Sequence, residues 1–438
     1  MTAQINATGT IASVALDIPF EIAVYVGLAS ILMCSMLGGM RAVTWTQVAQ
    51  YIVLIIAYLL PVFWISNNIG AGFFPHFMLA DEVARIAELE GQFGFVKNSA
   101  ADLATVPKGL SAITKAHSSV NATPWAFISL AVCMMAGTAS LPHVMMRYFT
   151  TPSVRTARRS VGWSLFFIFL LYSSAPMLAT LSKISLMDPN LATGIIGKSI
   201  TEVQALDWYQ NWNQAKLMFV SDFNGNGTLE LNEFFMKGSA VVLATPEIAG
   251  LPYVISGLVA AGGMAAAMST ADGLVLAISN ALSHDVYYKI INPKAETAKR
   301  LIVARVLLVL IGFAGATIAA LEIQGILGSV IWAFDFAMSG LFFPLVLGVW
   351  WKRANAPGAV AGMLLGLISG TAYLIWVRSG GSGFLGITQL TFGIVGAAVS
   401  LVSMIVVSLI TAAPDAATQK MVDDVRVPSG KTILGKQH

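Results

Sequence analysis

GLVAAGGMAAAMSTADG, residues 257–273, is the stretch on which the reading of this chain turns. It is mostly glycine and alanine, with two neighbouring alcohols, Ser269 and Thr270, and then a carboxylate, Asp272. Apolar residues continue on both sides, so 250–283 reads as a membrane-crossing helix, which needs about 20 apolar residues at about 1.5 Å rise each. In lipid, small side chains let helix backbones approach closely. Helix packing alone accounts for such a run. A rod this thin that carries hydroxyls at mid-span also suits the wall of a binding site. Two adjacent hydroxyls and a free backbone carbonyl make a hard oxygen site for Na⁺. The competing reading has each hydroxyl bonding back to a carbonyl one turn earlier. Asp272, and Asp335 inside IWAFDFAMSG, are carboxylates at membrane depth. Their burial is costly, which makes both of them substrate or gating candidates; a helix-end or interhelical hydrogen bond is the plainer alternative.

The rest of the chain agrees with a lipid setting. Of 438 residues, 56% are hydrophobic and 11% charged, and mean hydropathy is +0.75. A soluble protein is about 25% charged. Such a composition cannot clothe its outside in polar groups, so lipid must solvate it. Nine full spans are predicted, at 20–40, 45–67, 123–144, 160–182, 250–283, 299–321, 326–350, 357–378 and 386–411. Segment 2–16 is too short and polar to span alone and reads as the tail of a partial N-terminal helix. Cys34 and Cys133 lie in apolar runs as small core residues. The five histidines are scattered, and no zinc-type cluster or nucleophile–base pair is visible, so an enzyme is not expected. The net charge of +3 gives no ground for a nucleic-acid partner.

Basic residues alternate in sides. Arg41, then Arg147, Arg155, Arg158 and Arg159, then Lys289, Lys294, Lys299 and Arg300, then Lys352 and Arg353, and the tail Lys420, Arg426, Lys431 and Lys436 all fall on one side of the nine spans. Short loops dense in Lys and Arg stay cytoplasmic. The long segments 68–122 and 183–249 are therefore predicted outside. The organisation is a transmembrane domain over 1–411 and a cytoplasmic tail over 412–438. Trp208 and Trp212 in the second long segment are predicted to anchor at the membrane interface.

That segment also contains SDFNGNGTLELNEF. Counting from Asp222, oxygen side chains fall at position one, at three (Asn224), five (Asn226), seven (Thr228), nine (Glu230) and twelve (Glu233), with Gly227 sixth. This is the spacing of an EF-hand calcium loop, in which the glycine makes the sharp turn and the last glutamate clamps with both oxygens. With only three acids, the loop is expected to bind Ca²⁺ weakly, nearer the extracellular range of about 10⁻⁴–10⁻³ M. A polar turn of similar composition is the alternative.

Four stretches together resemble the sodium:solute symporter family: SMLGGMRAVTWTQVAQ (35–50), GTASLPHVMMRYFT (137–150), AAMSTADGLVLAISNALSHDVY (266–287) and GVWWKRANAPGAVAGMLLG (348–366). The similarity runs over about 380 residues and is nearest to acetate-permease-like bacterial members. Cys34 departs from the aliphatic residue usual there. The resemblance implies an all-α polytopic membrane protein of the LeuT-like kind, built on two inverted five-helix repeats with sites at mid-membrane. It implies Na⁺ coordination by the Ser269 and Thr270 hydroxyls and the Ala266 carbonyl. It adds His143, in the second stretch, to the substrate or gating candidates, and it implies a bacterial cytoplasmic (inner) membrane location with the C-terminus inside. Family members carry about three and a half further spans before the position of Met1. The inverted-repeat bundle is therefore expected to be incomplete here. A fragment, a different start or a separate polypeptide supplying the first helices would each account for this.

The function expected is sodium-coupled symport of a small organic solute, best a short monocarboxylate such as acetate. Proline-type amino-acid symport is the alternative. A calcium-responsive membrane sensor or scaffold without transport is a reading of another class, with the calcium loop as input.

Overall fold

Asp17 adopts a left-handed conformation, φ 51°, and Pro19 follows it. The chain therefore turns sharply between α1 (Thr2–Leu16) and the first part of α2 (Phe20–Asn68), which meet at 112°. The computed structural model describes all residues except 73–74, 95–97, 108, 114–123, 146–147, 149–150, 324 and 426–438, and all side chains of those residues but 37–42. Arg147, Arg426, Lys431 and Lys436 lie outside the described residues, as does the Arg41 side chain.

After α2 come two short helices, α3 (Leu79–Phe93) and α4 (Ala100–Thr105), and strand β1 (Ser111–Ala112). Next are α5 (Pro124–Ala139), the single turn α6 (Pro142–Met145) and the long α7 (Val154–Met187). The following segment holds α8 (Ile200–Gln204), α9 (Asp207–Gln214), β2 (Met218–Val220), β3 (Phe234–Met236) and α10 (Val241–Ile248). Then run α11 (Tyr253–Asn280), continued by a π-helical stretch Ala281–Ile291, and α12 (Thr297–Ala320). Last come α13 (Ile326–Ala337), joined by a π turn at Met338–Phe342 to α14 (Phe343–Trp350), then α15 (Ala356–Arg378), α16 (Gly393–Ile410) and α17 (Ala416–Asp424).

Among the described residues, seven helical stretches are long and apolar enough to cross a membrane, or eight if the bent α1–α2 pair is one span. Nine were predicted. Two of those differ in form. The predicted 20–40 reaches span length only with α1, across the bend. The predicted 123–144 is a 16-residue helix that stops at Ala139. The break has a local cause: Pro142 has no N–H to give and disfavours helical geometry in the residue before it. Ser140 and Leu141 turn instead, their N–H groups reaching Gly137 and Thr138.

The chain divides into two compact units, residues 1–116 with 166–326, and residues 117–165 with 327–438. In the first, α11 lies along α2 and α1. Contact is through small residues: a Cβ on Gly262 would collide with Ala57 of α2. Around this seam Ile5, Val24, Ile31, Ala271 and Val275 are buried.

The same unit carries a folded cap where the sequence reading placed two long loops. β1, from the first long segment, pairs antiparallel with β3, which pairs antiparallel with β2, giving the order β1-β3-β2. Phe234, Leu229, Met218, Met187 and Trp212 form its core. Trp212 is 2% exposed and donates its indole N–H to Glu247 at 2.8 Å. It does not anchor at an interface as predicted, because the cap supplies both apolar cover and an acceptor for the indole. Trp208 packs against the same core. Arg85 of α3 pairs with Asp188 just past α7, and Lys183 pairs with Glu90. Burial alone would raise the Asp188 carboxyl, but the Asn190 backbone N–H and Arg85 outweigh it and hold it below the usual range.

In the second unit α15 and α16 pack tightly, around the π turn that follows α13. Ser339 in that turn is fully buried and bonds back to the Asp335 carbonyl at 2.7 Å. A Cβ on Gly366 would strike the Ser339 carbonyl and Ser400. Asn355 caps α15 by accepting from the Gly358 N–H at 3.0 Å. The tail helix α17 is tied back by an ion pair from Asp423 to Lys352 at 2.7 Å.

Two outcomes follow from this packing. Gly366→Val should cost about 1–3 kcal/mol or more through overpacking, whereas Gly162→Ala, with nothing within 4 Å, should be near neutral; thermal unfolding in detergent compares them. The ionised Asp188 stabilises the cap above its ordinary pKa of about 3.9, and that contribution is lost as pH falls through the lowered value. Asp188→Asn should therefore flatten the acid limb of a stability-against-pH profile.

Candidate functional site

The small-residue face that lets α11 lie against α2 also brings three oxygens together. Ser269 Oγ donates to the Ala266 carbonyl at 2.9 Å, and Thr270 Oγ1 reaches the same carbonyl at 3.5 Å. Both alcohols are half-buried. The back-bonded geometry of the plainer reading is thus the one adopted, and it converges the three predicted ligands on one point. Each hydroxyl that donates its hydrogen keeps two lone pairs, whereas the Ala266 carbonyl already accepts from both alcohols within a continuous helix.

Two side chains of α2 complete the surroundings. Gln47 Nε2 donates to the Ser269 carbonyl at 2.6 Å. Ser35 Oγ donates to Asp272 Oδ1 at 2.9 Å, while Oδ2 has no hydrogen-bond partner among the described residues. Asp272 and Ser35 are buried, Asp272 completely. Asp272 therefore takes the interhelical hydrogen bond and retains one carboxylate oxygen at the seam. On the far side, Ser279 Oγ donates to the Ala304 carbonyl at 2.7 Å and fastens α11 to α12. Sequence reasoning named neither Gln47 nor Ser35 as a site residue. The signal lay in SMLGGMRAVTWTQVAQ, which contains both.

The remaining candidates lie elsewhere. Asp335 and His143 belong to the second unit, whereas Asp272 and the α11 oxygens belong to the first. Asp335 is fully buried on α13. The Cys133 thiol and the backbone of Gly393, the first residue of α16, lie beside its carboxylate, but neither makes a well-formed hydrogen bond to it. His143 is half-buried on α6.

A cavity of about 510 Å³ opens among α1, α9, α10 and the start of α11. Asp17, Glu247, Gln214, Trp212, Tyr253 and Ser256 are on its wall. Burial raises the Glu247 carboxyl above its usual range, against the opposing Trp212 hydrogen bond. Two acidic side chains and no basic one line this cavity.

Residues 222–233 join β2 to β3: the tip, residues 224–227, is exposed, whereas Leu229, Leu231, Asn232 and Glu233 are buried. Among the described residues no three His, Cys, Asp or Glu side chains gather as a metal-binding group, so any ion held there must draw on amide and backbone oxygens.

Comparison with known proteins bears on these features. The sodium:solute symporter family profile matches residues 1–199 and 237–366. An uncharacterized symporter of Cupriavidus necator is 33% identical over 94% of this chain and 72% of its own length. A monocarboxylic acid transporter of Corynebacterium glutamicum is 26% identical over 84% of this chain, which spans 59% of that protein. A substrate-bound, outward-open Na⁺-coupled sialic acid symporter superposes with a TM-score of 0.58 at 16% identity, covering 94% of this chain and 72% of that one. At that identity the likeness shows the fold alone. With its apolar spans, its helical bundle and these matches, the chain is an integral membrane protein that belongs to the sodium:solute symporter family.

Proposed function

We propose that the protein carries a short monocarboxylate, of the size of acetate, across a bacterial cytoplasmic membrane together with Na⁺, with its C-terminus inside. The observation that carries this reading is the convergence of the Ala266 carbonyl, Ser269 Oγ and Thr270 Oγ1 on one point within a span. Na⁺ sheds its water only where several hard oxygens replace it, and a carbonyl with two alcohols on a thin helix offers three. On binding, the cation would take lone pairs of the two alcohols and displace their hydrogens from the Ala266 carbonyl. Gln47, holding the Ser269 carbonyl, would fix the helix backbone behind the ion. Asp272, one turn on, keeps its Oδ2 without a partner among the described residues.

The substrate class is supported by the monocarboxylic acid transporter relative. Acids on the wall of the cavity at the head of α11 would raise the local cation concentration on the side from which Na⁺ enters. The orientation is supported by the clustering of Lys and Arg in short connections that the order of spans puts on one side.

Uptake of labelled acetate by the full-length protein in proteoliposomes tests the assignment. Ser269→Ala with Thr270→Ala should raise the half-saturating Na⁺ concentration at least about tenfold, equivalent to about 1.4 kcal/mol of lost cation binding. Unchanged sodium dependence in the double variant would overturn the site, and sodium-dependent uptake of proline but not acetate would overturn the substrate.

A further inference from the structure

The turn 222–233 lies in the stretch, residues 200–236, that the family profile leaves unmatched, so sodium coupling does not account for it. We propose that this turn binds one Ca²⁺ and that the ion clamps the cap. The inference is independent of the sodium site.

The spacing of oxygen side chains from Asp222 to Glu233 is complete for a calcium loop. Pairing of β2 with β3 brings its two ends together, the Ser221 N–H donating to the Glu233 carbonyl at 3.3 Å. Gly227, at the sixth position, has φ 72° and nothing within 4 Å of a would-be Cβ, so the turn needs glycine for its backbone. Asp222 Oδ2 accepts from the Gly227 N–H at 2.8 Å. Asn224 and Asn226 both turn their side chains toward Glu230, donating to Oε1 at 2.9 and 3.1 Å. Their amide oxygens accept from the Asn226 and Thr228 N–H groups at 2.9 and 2.7 Å and keep a further lone pair each. Positions three, five and nine thus already face one another.

A separate observation calls for a cation. Glu233 is completely buried, yet no Lys or Arg pairs with it among the described ion pairs. Only the backbone N–H groups of Phe223 and Glu230 reach its carboxylate, at 2.9 and 3.0 Å. Among the described ion pairs, Asp222 and Glu230 have no basic partner either. A buried carboxylate is costly unless a positive charge answers it, and Ca²⁺ favours carboxylate, amide and carbonyl oxygens in a flexible shell.

The consequence is structural. The Leu229 N–H donates to the Lys198 carbonyl, the Gly197 N–H to the Leu229 carbonyl, and the Ile200 N–H to the Gly227 carbonyl. Asn232 exchanges hydrogen bonds with Asn98. An ion in the turn would therefore fasten β2, β3, residues 197–200 and the segment at Asn98 at once. Strands flank the turn where an EF-hand has helices, so there is no helix pair to open, and the ion acts as a clamp.

The test is ⁴⁵Ca equilibrium dialysis and thermal unfolding of the full chain in detergent. The wild type should bind one Ca²⁺ with a dissociation constant on the order of 10⁻⁴–10⁻³ M, and Ca²⁺ but not Mg²⁺ should raise its unfolding temperature. Glu233→Gln should abolish both effects. Glu230→Gln, at a less buried position, should still unfold cooperatively without ion but bind Ca²⁺ several-fold more weakly, and it decides the matter if Glu233→Gln fails to fold. Ser269→Ala with Thr270→Ala should leave Ca²⁺ binding as it is. No Ca²⁺-dependent shift up to about 10 mM, well above that range, an equal shift with Mg²⁺, or a shift retained in both glutamate variants would overturn the proposal.

Discussion

Close approach of α11 to α2 is the constraint on which the site rests. Lipid offers a helix neither hydrogen bonds nor a hydrophobic drive to associate, so packing must come from backbone proximity and interhelical hydrogen bonds. Gly262 against Ala57 supplies the proximity. Gln47 to the Ser269 carbonyl and Ser35 to Asp272 supply the bonds. Because the helix is thin where it carries its alcohols, the Ala266–Thr270 oxygens are half-buried against a neighbour rather than sheathed by their own side chains. A bulkier residue at 262 would separate the two helices and with them every polar contact at the seam.

The second unit uses the same physics for a different end. Ser339 sits in a π turn, its carbonyl closely approached by Gly366 and its side chain by Gly396 of the next helices. A π turn within a span redirects side chains and often marks function. Here it follows directly on the buried Asp335. The cap obeys soluble-protein rules instead, with a central aromatic core, antiparallel strands and ion pairs such as Arg85–Asp188 that fix α3 against the end of α7.

Much of this was legible in the residues. Hydropathy located the spans because about 20 apolar residues in a row have few other uses. The proline that ends α5 early was visible too, but a window long enough to find spans averages over it. Ser269 and Thr270 stood out as neighbouring alcohols at mid-span, and Ala266 was added only by the family resemblance. What could not be read was pairing across distance: Gln47 and Ser269 are 222 residues apart, and Ser35 and Asp272 are 237 apart. No local signal selects one glutamine among several. The cap escaped for a related reason. Its strands are only two or three residues long, and β1 finds β3 across more than a hundred positions. Trp212 looked like an interface anchor because its acceptor, Glu247, becomes visible only once α9 and α10 are folded together.

The account stands or falls on whether the oxygens of α11 hold the coupling ion. Hydrogen–deuterium exchange of the full-length protein, compared in Na⁺ and in K⁺ at equal ionic strength, addresses that directly. Coordination at Ala266, Ser269 and Thr270 predicts slower exchange confined to the amides around 262–275 in Na⁺ and no such slowing in K⁺. Identical exchange of α11 in the two salts, with sodium protection appearing on other helices instead, would contradict it.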